Sequence, residues 1–294
     1  MGAEYTEQYP VLTFASGPTN SMRGAAFLSG LREAIVIDIG STTTDVGMLT
    51  HGFPRESAVP TDIGGVRANF RMPDIFSLGL GGGSLVRNDR QSVRVGPDSV
   101  GYELIDKALV FDGDCLTATD IAVAAGRADI GRRDRLDDLD QDLVARATRQ
   151  IDHLVEDAID RMKTSAVDVP VVLVGGGAVL VGDRLAGASR LLRPKNAGVA
   201  NAIGAAMAQV GGETDRVYAY DEIGRDNALE AAKQEATSKA VRAGADPGTV
   251  TILDIEEIPM TYMPGGAVRV RAKAVGDLVL ARSPSRLKQA RSTQ

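Results

Sequence analysis

Apolar residues recur along this chain with two different periods, and the alternation between them predicts its elements. Short continuous apolar runs stand at residues 34–37 ("AIVI") and 169–174 ("VPVVLV"). They read as strands covered on both faces, because a half-exposed strand would alternate. The first runs into "DIGSTTTD" and turns apolar again at Val46, which predicts two strands around a polar loop. The second is stopped by Gly175-Gly176-Gly177. Between them Leu136, Leu139, Leu143, Ala147, Ile151, Leu154, Ala158 and Met162 recur at threes and fours, which predicts one amphipathic helix over 134–163. His153 adjoins that stripe and reads as structural or solvated.

The remaining elements are read the same way. Val11–Phe14 predicts a short strand before a Ser-Gly-Pro turn, with a helix from about Ser21. Residues 56–78 read as strand and loop, and "SVRVGPDSVGYEL" as a strand and a turn. Thr119 in "TATDIAVAAGR" is placed to cap a short helix. "NAGVANAIGAAMAQVGG" reads as a helix of small residues, and 222–244 as a helix from Asp221 to a Gly244 stop. A hairpin around Pro264-Gly265-Gly266 closes the ordered chain. Strands and helices interleave, so the fold class is α/β. A core is expected over 1–215, a smaller α+β region over 216–280, and a basic, disordered tail over 281–294.

Composition narrows the picture. With 294 residues, 44% of them hydrophobic, the chain can bury a core, but aromatics are only 4% and Trp is absent. Ala, Val, Leu and Ile must therefore do most of the packing. A net charge of −6 argues against nucleic-acid or anionic-membrane binding. The single cysteine, Cys115, excludes an intrachain disulfide and reads as a half-buried thiol. The two histidines, His51 and His153, are too far apart for a zinc pattern. No secretion signal or 20-residue apolar run is present, so a soluble cytoplasmic protein is expected.

The candidate chemistry lies in small polar residues at strand ends. Gly40, Ser41, Thr42, Thr43 and Thr44 let the backbone turn and offer N–H groups and hydroxyls to phosphate oxygens. Asp38 would then hold a metal ion such as Mg2+, and Asp45 would orient the loop or a water. A plain Thr-rich hairpin explains this segment equally well. Gly175, Gly176 and Gly177 permit close approach by a nucleotide, or make a simple turn. Asp74 and the Gly81-Gly82-Gly83-Ser84 loop face a substrate, or form a flexible connection. Ser16-Gly17-Pro18 before a helix either meets an anion or is a capped turn. There is no Walker A loop and no dinucleotide fingerprint.

The order of "LTFASGPTNSMRGAAFLSG", "IVIDIGSTTTDVGML", "MPDIFSLGLGGGSLV", "VGPDSVG", "LTATDIAVAAGR" and "VVLVGGGAVLV" resembles the hydantoinase A/5-oxoprolinase family. The resemblance implies an actin-like ATPase (ribonuclease H-like) core, with ATP and Mg2+ as cofactors. It implies ATP-dependent opening of a cyclic amide or imide, of hydantoin or 5-oxoproline type. Asp38, Asp45 and Asp74 would be the catalytic carboxylates, with Asp38 on the metal. Gly40–Thr44 would be the second phosphate hairpin, Gly175–Gly177 would lie against the nucleotide, and Gly81–Ser84 would line the substrate. Ser41 stands where the family's hairpin usually has a second glycine. The family's first phosphate hairpin has no counterpart before Ala34, so a partner subunit or an N-terminal domain is expected to supply it. Two further readings stand beside this one: a subunit of an ATP-dependent ketone carboxylase, and a nucleotide-binding subunit without catalysis.

Overall fold

The computed structural model describes residues 2–57, 62–63, 65–67, 72–89, 92–207 and 209–279. The tail at 281–294 and part of the 56–78 segment lie outside the described residues. The chain divides into two compact units: residues 1–13 with 208–294, and residues 14–207. The sequence predicts a boundary at 215 with the first residues in the core. They instead join the C-terminal unit, because helix α1 (Ala3–Gln8) follows a Gly2 N–H that donates to the Ala243 carbonyl at 2.8 Å. Tyr5 packs against that unit's core.

The larger unit begins with α2 (Ser16–Ser29), β1 (Ala34–Ile39), β2 (Thr44–Thr50) and β3 (Phe53–Pro54). Two short strands, β4 (Asp62–Ile63) and β5 (Val66–Arg67), pair with each other, and β6 (Ile75–Leu78) returns to β2. A hairpin of β7 (Ser84–Asp89) and β8 (Ser92–Ser99) leads to α3 (Leu104–Lys107) and α4 (Ala118–Ala124). The unit ends with α5 (Gln141–Met162), β9 (Val169–Val174), β10 (Ala188–Leu192) and α6 (Ala200–Ala206).

The main sheet has the order β10-β9-β1-β2-β3, with β6 also on β2. Its β10-β9-β1 part is parallel, and β1-β2 is an antiparallel hairpin. Successive side chains of a strand point to opposite faces, which explains the unbroken apolar runs. Ile35, Ile37, Ile39, Val171 and Leu173 pack against Ala147, Ile151, Val155 and Ile159 of α5 and Ile121 of α4. Ala34, Val36, Val172 and Val174 face Met22 and Ala25 of α2 and Ala200 of α6. The α2 and α6 backbones come so close that a Cβ on Gly24 would overlap the Ala200 carbonyl. A Cβ on Gly204 would likewise overlap the Asn20 carbonyl.

In the second unit β11 (Gln209–Ala219) is followed by α7 (Tyr220–Ile223), α8 (Arg225–Arg242), β12 (Thr251–Pro259) and β13 (Ala267–Asp277). The strands form an antiparallel sheet of order β11-β13-β12. Ala232, Ala236 and Ala240 of α8 pack on Val210, Val270, Ala272 and Ala274. The hairpin expected around Pro264–Gly266 is the β12–β13 connection.

Several local expectations are corrected. Val11–Phe14 is not a strand; Pro10–Thr13 is a 3-10 turn. Helix α2 starts at Ser16, because Pro18 falls in the first turn, where a missing N–H costs nothing. The cap of α4 is Thr117, not Thr119: Thr117 and Asp120 exchange side-chain and backbone hydrogen bonds in a capping box. Helix α5 starts after Asp140, and Leu136 belongs to a separate 3-10 turn, Arg133–Leu136. "QVGG" opens β11 instead of extending a helix, since Gly212 lets that strand lie against the α8 backbone at Ala236 and Ala240. The last helix breaks at Gly224, whose φ of +76° lies in the left-handed region.

Candidate functional site

The β1–β2 hairpin turns at Gly40–Thr43, closed by the Gly40 N–H donating to the Thr43 carbonyl at 2.9 Å. Ser41, Thr42 and Thr43 are exposed, and their backbone N–H groups and hydroxyls make no hydrogen bond among the described residues. Three successive donors left without a partner among the described residues, at an exposed tip, are the kind of arrangement that can accept an anion. The carbonyls of Gly40 and Ser41 are by contrast occupied. They accept from the Gly82 N–H at 3.0 Å and the Gly83 N–H at 2.7 Å.

Asp38 and Asp45 are register partners just behind the tip. Burial pushes the Asp38 carboxyl above the usual range, and the nearby Asp45 charge adds to this, while the Ser21 hydroxyl opposes it by donating to the carboxylate. Ser21 is fully buried and accepts from Asn201 Nδ2 at 3.0 Å; the same Nδ2 reaches the Gly17 carbonyl at 2.9 Å. On the other side, Ser77 Oγ of β6 donates to Asp45 Oδ1 at 2.5 Å. Among the described residues no cluster of three or more His, Cys, Asp or Glu forms a metal cage. Two facing carboxylates beside backbone donors that lack a partner among the described residues nonetheless suit Mg2+, which takes one or two carboxylates and completes its shell with phosphate oxygens and water.

The glycine strand end adjoins the same place. Gly175 has φ +83° and donates to the Ala197 carbonyl at 3.0 Å. A Cβ there would overlap the Ile39 carbonyl and Asp38 Oδ1, so this glycine allows β9 to press against the end of β1. Gly177 is buried, and its Cβ would lie 2.5 Å from Ile39 Cγ2. Gly176 alone is exposed, with nothing within 4 Å of a built Cβ. The turn that follows is braced by Arg127. It pairs with Asp152 at 2.7 Å and donates to the Leu180 carbonyl, while Asp152 also accepts from the Gly182 N–H at 2.9 Å.

Three expected assignments change. Thr44 is fully buried, and its hydroxyl donates to the Leu80 carbonyl at 2.6 Å; it faces the protein and not the tip. Gly81, Gly82, Gly83 and Ser84 are buried beneath the hairpin and do not line an open substrate surface. A Cβ on Gly81 would sit 2.5 Å from the Ser41 carbonyl carbon and the Thr42 nitrogen. Asp74 is committed to Arg55 at 2.7 Å. It precedes Leu78, the partner of Thr44, by four residues of extended chain, or about 13 Å at the usual strand rise.

Three further groups have the following surroundings. His153 lies on an exposed helix face 3.7 Å from Asp157. Cys115 donates to Asp114 at 3.3 Å. Ser16-Gly17-Pro18 is the first turn of α2. Sequence reading missed Ser21, Asn201, Ser77 and the Arg127–Asp152 pair, because nothing local links them to the hairpin; Ser21 and Asn201 are 180 positions apart.

No helix of the described residues is long and apolar enough to cross a membrane. Two solved structures share the fold. A nucleotide-free acetone carboxylase superposes with a TM-score of 0.60 at 18% identity, over 90% of this chain and 49% of the other. The ATP-dependent caprolactamase from Pseudomonas jessenii gives 0.58 at 19% identity, over 91% and 50%. The chain thus spans about half the length of these structures. The core has the actin-like ATPase fold. A curated relative, the acetophenone carboxylase gamma subunit of Aromatoleum aromaticum, is 30% identical over 119 residues, which are 39% of this chain and 16% of that protein. The family profile described as Hydantoinase/oxoprolinase matches residues 1–162, more than half of the sequence and all of the hairpin, so the chain belongs to the hydantoinase/oxoprolinase family.

Proposed function

We propose that the Asp38–Asp45 hairpin and the Gly175–Gly177 strand end hold the phosphates and nucleoside of MgATP. The chain would then be one part of an ATP-dependent enzyme that opens a cyclic amide or imide of hydantoin or 5-oxoproline type. The observation that carries the reading is the row of unpaired N–H groups at Ser41–Thr43 beside the facing carboxylates of Asp38 and Asp45.

The chemistry follows from the stability of the amide. An unstrained lactam resists water because its nitrogen lone pair is delocalised into the carbonyl. Transfer of the γ-phosphoryl group to the amide oxygen breaks the bond to the β-phosphate oxygen and releases ADP. Water then adds to the activated carbon and the ring C–N bond opens, the nitrogen leaving with a proton, to give an acyl phosphate; a second water cleaves this to the free carboxylate and phosphate. The chain's own residues supply position and charge. Ser41–Thr43 N–H groups and hydroxyls hold phosphate oxygens, Ser21 and Asn201 hold the Asp38 carboxylate in place, and Ser77 holds Asp45. Mg2+, when bound by Asp38 and Asp45, would neutralise phosphate charge. Such a site clamps the nucleotide from two sides, so a partner chain or a further segment would complete it. Dependence on MgATP makes the cytoplasm the expected compartment.

The relation to the acetophenone carboxylase gamma subunit favours a second reading, a subunit of an ATP-dependent ketone carboxylase. Calorimetry with MgATP tests the shared core. Absence of binding by this chain would sink the nucleotide reading; equal binding by Asp38→Ala would sink the role of Asp38. ATP turnover then separates the substrates: stimulation by hydantoin or 5-oxoproline supports ring opening, and stimulation only by ketone with bicarbonate supports carboxylation. Binding without turnover in either mixture leaves the non-catalytic subunit.

A further inference from the structure

We propose that Thr119 is a positioning residue for the phosphate loop, acting through the glycine segment 79–83. This rests on the nucleotide reading of the hairpin. Thr119 grips one atom twice: its N–H and its Oγ1 donate to the Gly82 carbonyl at 3.0 and 2.9 Å. Gly82 and Gly83 in turn donate to the Gly40 and Ser41 carbonyls. A peptide group is planar and trans, so its C=O and N–H point in opposite directions. The Gly40 carbonyl shares a peptide with the Ser41 N–H, and the Ser41 carbonyl shares one with the Thr42 N–H. Holding both carbonyls inward therefore turns both N–H groups outward. If the glycine segment let go, either peptide could rotate and present a carbonyl oxygen to the phosphate, replacing attraction by repulsion.

The surroundings fit a buttress. Only glycine allows the contact at position 81, where a Cβ would meet Ser41 and Thr42 backbone at 2.5 Å. Ser84, itself fully buried, fixes the segment by accepting from the Gly81 N–H at 2.8 Å. Thr119 is 6% exposed and is held by the capped turn beneath it. There Asp120 accepts from the Thr117 N–H and hydroxyl, each at 2.7 Å, and from the Val110 N–H at 2.8 Å. These hydrogen bonds join α4 to the hairpin tip, and Thr119 itself touches no ligand.

The test compares wild type, Thr119→Val and Thr119→Ser, with MgATP and with magnesium tripolyphosphate as a probe of the phosphate loop alone. Thr119→Val keeps the shape and loses one donor. Calorimetry should show both probes weakened about five- to tenfold, the equivalent of one hydrogen bond, with Thr119→Ser restored to within about twofold. A purely structural residue would lower the melting temperature without weakening the affinity of the folded protein. Equal affinity of Thr119→Val and wild type overturns the proposal, as does a Thr119→Ser as weak as Thr119→Val. Amide hydrogen exchange at Gly82 and Gly83 is a second readout. Protection in the wild type that is reduced in Thr119→Val supports the buttress even if neither probe binds, in which case the nucleotide reading alone falls. Unprotected amides in the wild type overturn the buttress outright.

Discussion

Asp38 and Asp45 stand opposite each other on adjacent antiparallel strands, two residue pairs behind the hairpin tip. Directly opposed side chains of such strands are about 4.5–5.5 Å apart at Cβ, a distance at which like charges are unfavourable. The burial of Asp38 adds to that penalty, and Ser21 offsets part of it. Among the described residues no ion pair to either carboxylate offsets this charge.

A pH dependence of stability follows. The folded Asp38 carboxyl titrates above its ordinary value, while the unfolded one titrates near about 3.9. Below that pH both states are protonated and the group has no effect on stability. As pH rises the unfolded state ionises first, so stability falls until the folded pKa is passed, and the full penalty remains at neutral pH. Asp38→Asn should therefore melt higher than wild type at pH 7.5 without divalent cations. The two should melt alike near pH 3. Added Mg2+ with ATP should raise the wild-type melting temperature and leave that of Asp38→Asn unchanged.

Gly176 separates ligand contact from folding. Nothing lies within 4 Å of a Cβ built there, and the residue is exposed. Gly176→Ala should melt at the wild-type temperature. If the nucleotide lies against this strand end, its affinity should fall at least about fivefold, since crowding by one methyl costs about 1 kcal/mol or more. Unchanged affinity in calorimetry would remove the Gly175–Gly177 end from the site.

Thr44 and Asp74 should behave as structural residues. Thr44→Val deletes the donor to the buried Leu80 carbonyl, so a loss of about 1–3 kcal/mol is expected in chemical denaturation. Asp74→Asn loosens a partly exposed pair with Arg55, for which up to about 1 kcal/mol is expected. Its MgATP affinity should match wild type; a clear loss would return Asp74 to the site.

The Arg127–Asp152 pair is about four-fifths buried on both sides and also fixes Leu180 and Gly182. Asp152→Ala leaves Arg127 and the Gly182 N–H without this partner. It should lower stability by about 3 kcal/mol, the lower end of the range for buried pairs because some solvent reaches it. Nucleotide affinity should fall with it, because the turn carrying Gly176 loses its brace; unchanged affinity in the folded variant would show that the brace matters only for stability.

The sequence by itself determined the elements whose signal is local. The apolar runs of β1 and β9 announced strands buried on both faces, the 3.6-residue stripe announced α5, and "DIGSTTTD" announced a hairpin with a polar tip. Local competition among similar residues misled it at Thr117 and Thr119, where only a capping partner tells one hydroxyl from the other. Two glycines hid the start of β11, whose buried alternation appears only against α8. Tertiary structure alone decided which groups remain free. Thr43 and Thr44 are neighbours of one type, yet the Thr43 hydroxyl is exposed without a partner among the described residues while that of Thr44 is sealed against Leu80. Gly81–Gly83 and Gly175–Gly177 look alike in sequence. The first three are buried and prop up the hairpin, and among the second three Gly176 faces outward. The physical reason is that a donor is available only where folding leaves it unpaired, and pairing depends on segments far apart in the chain.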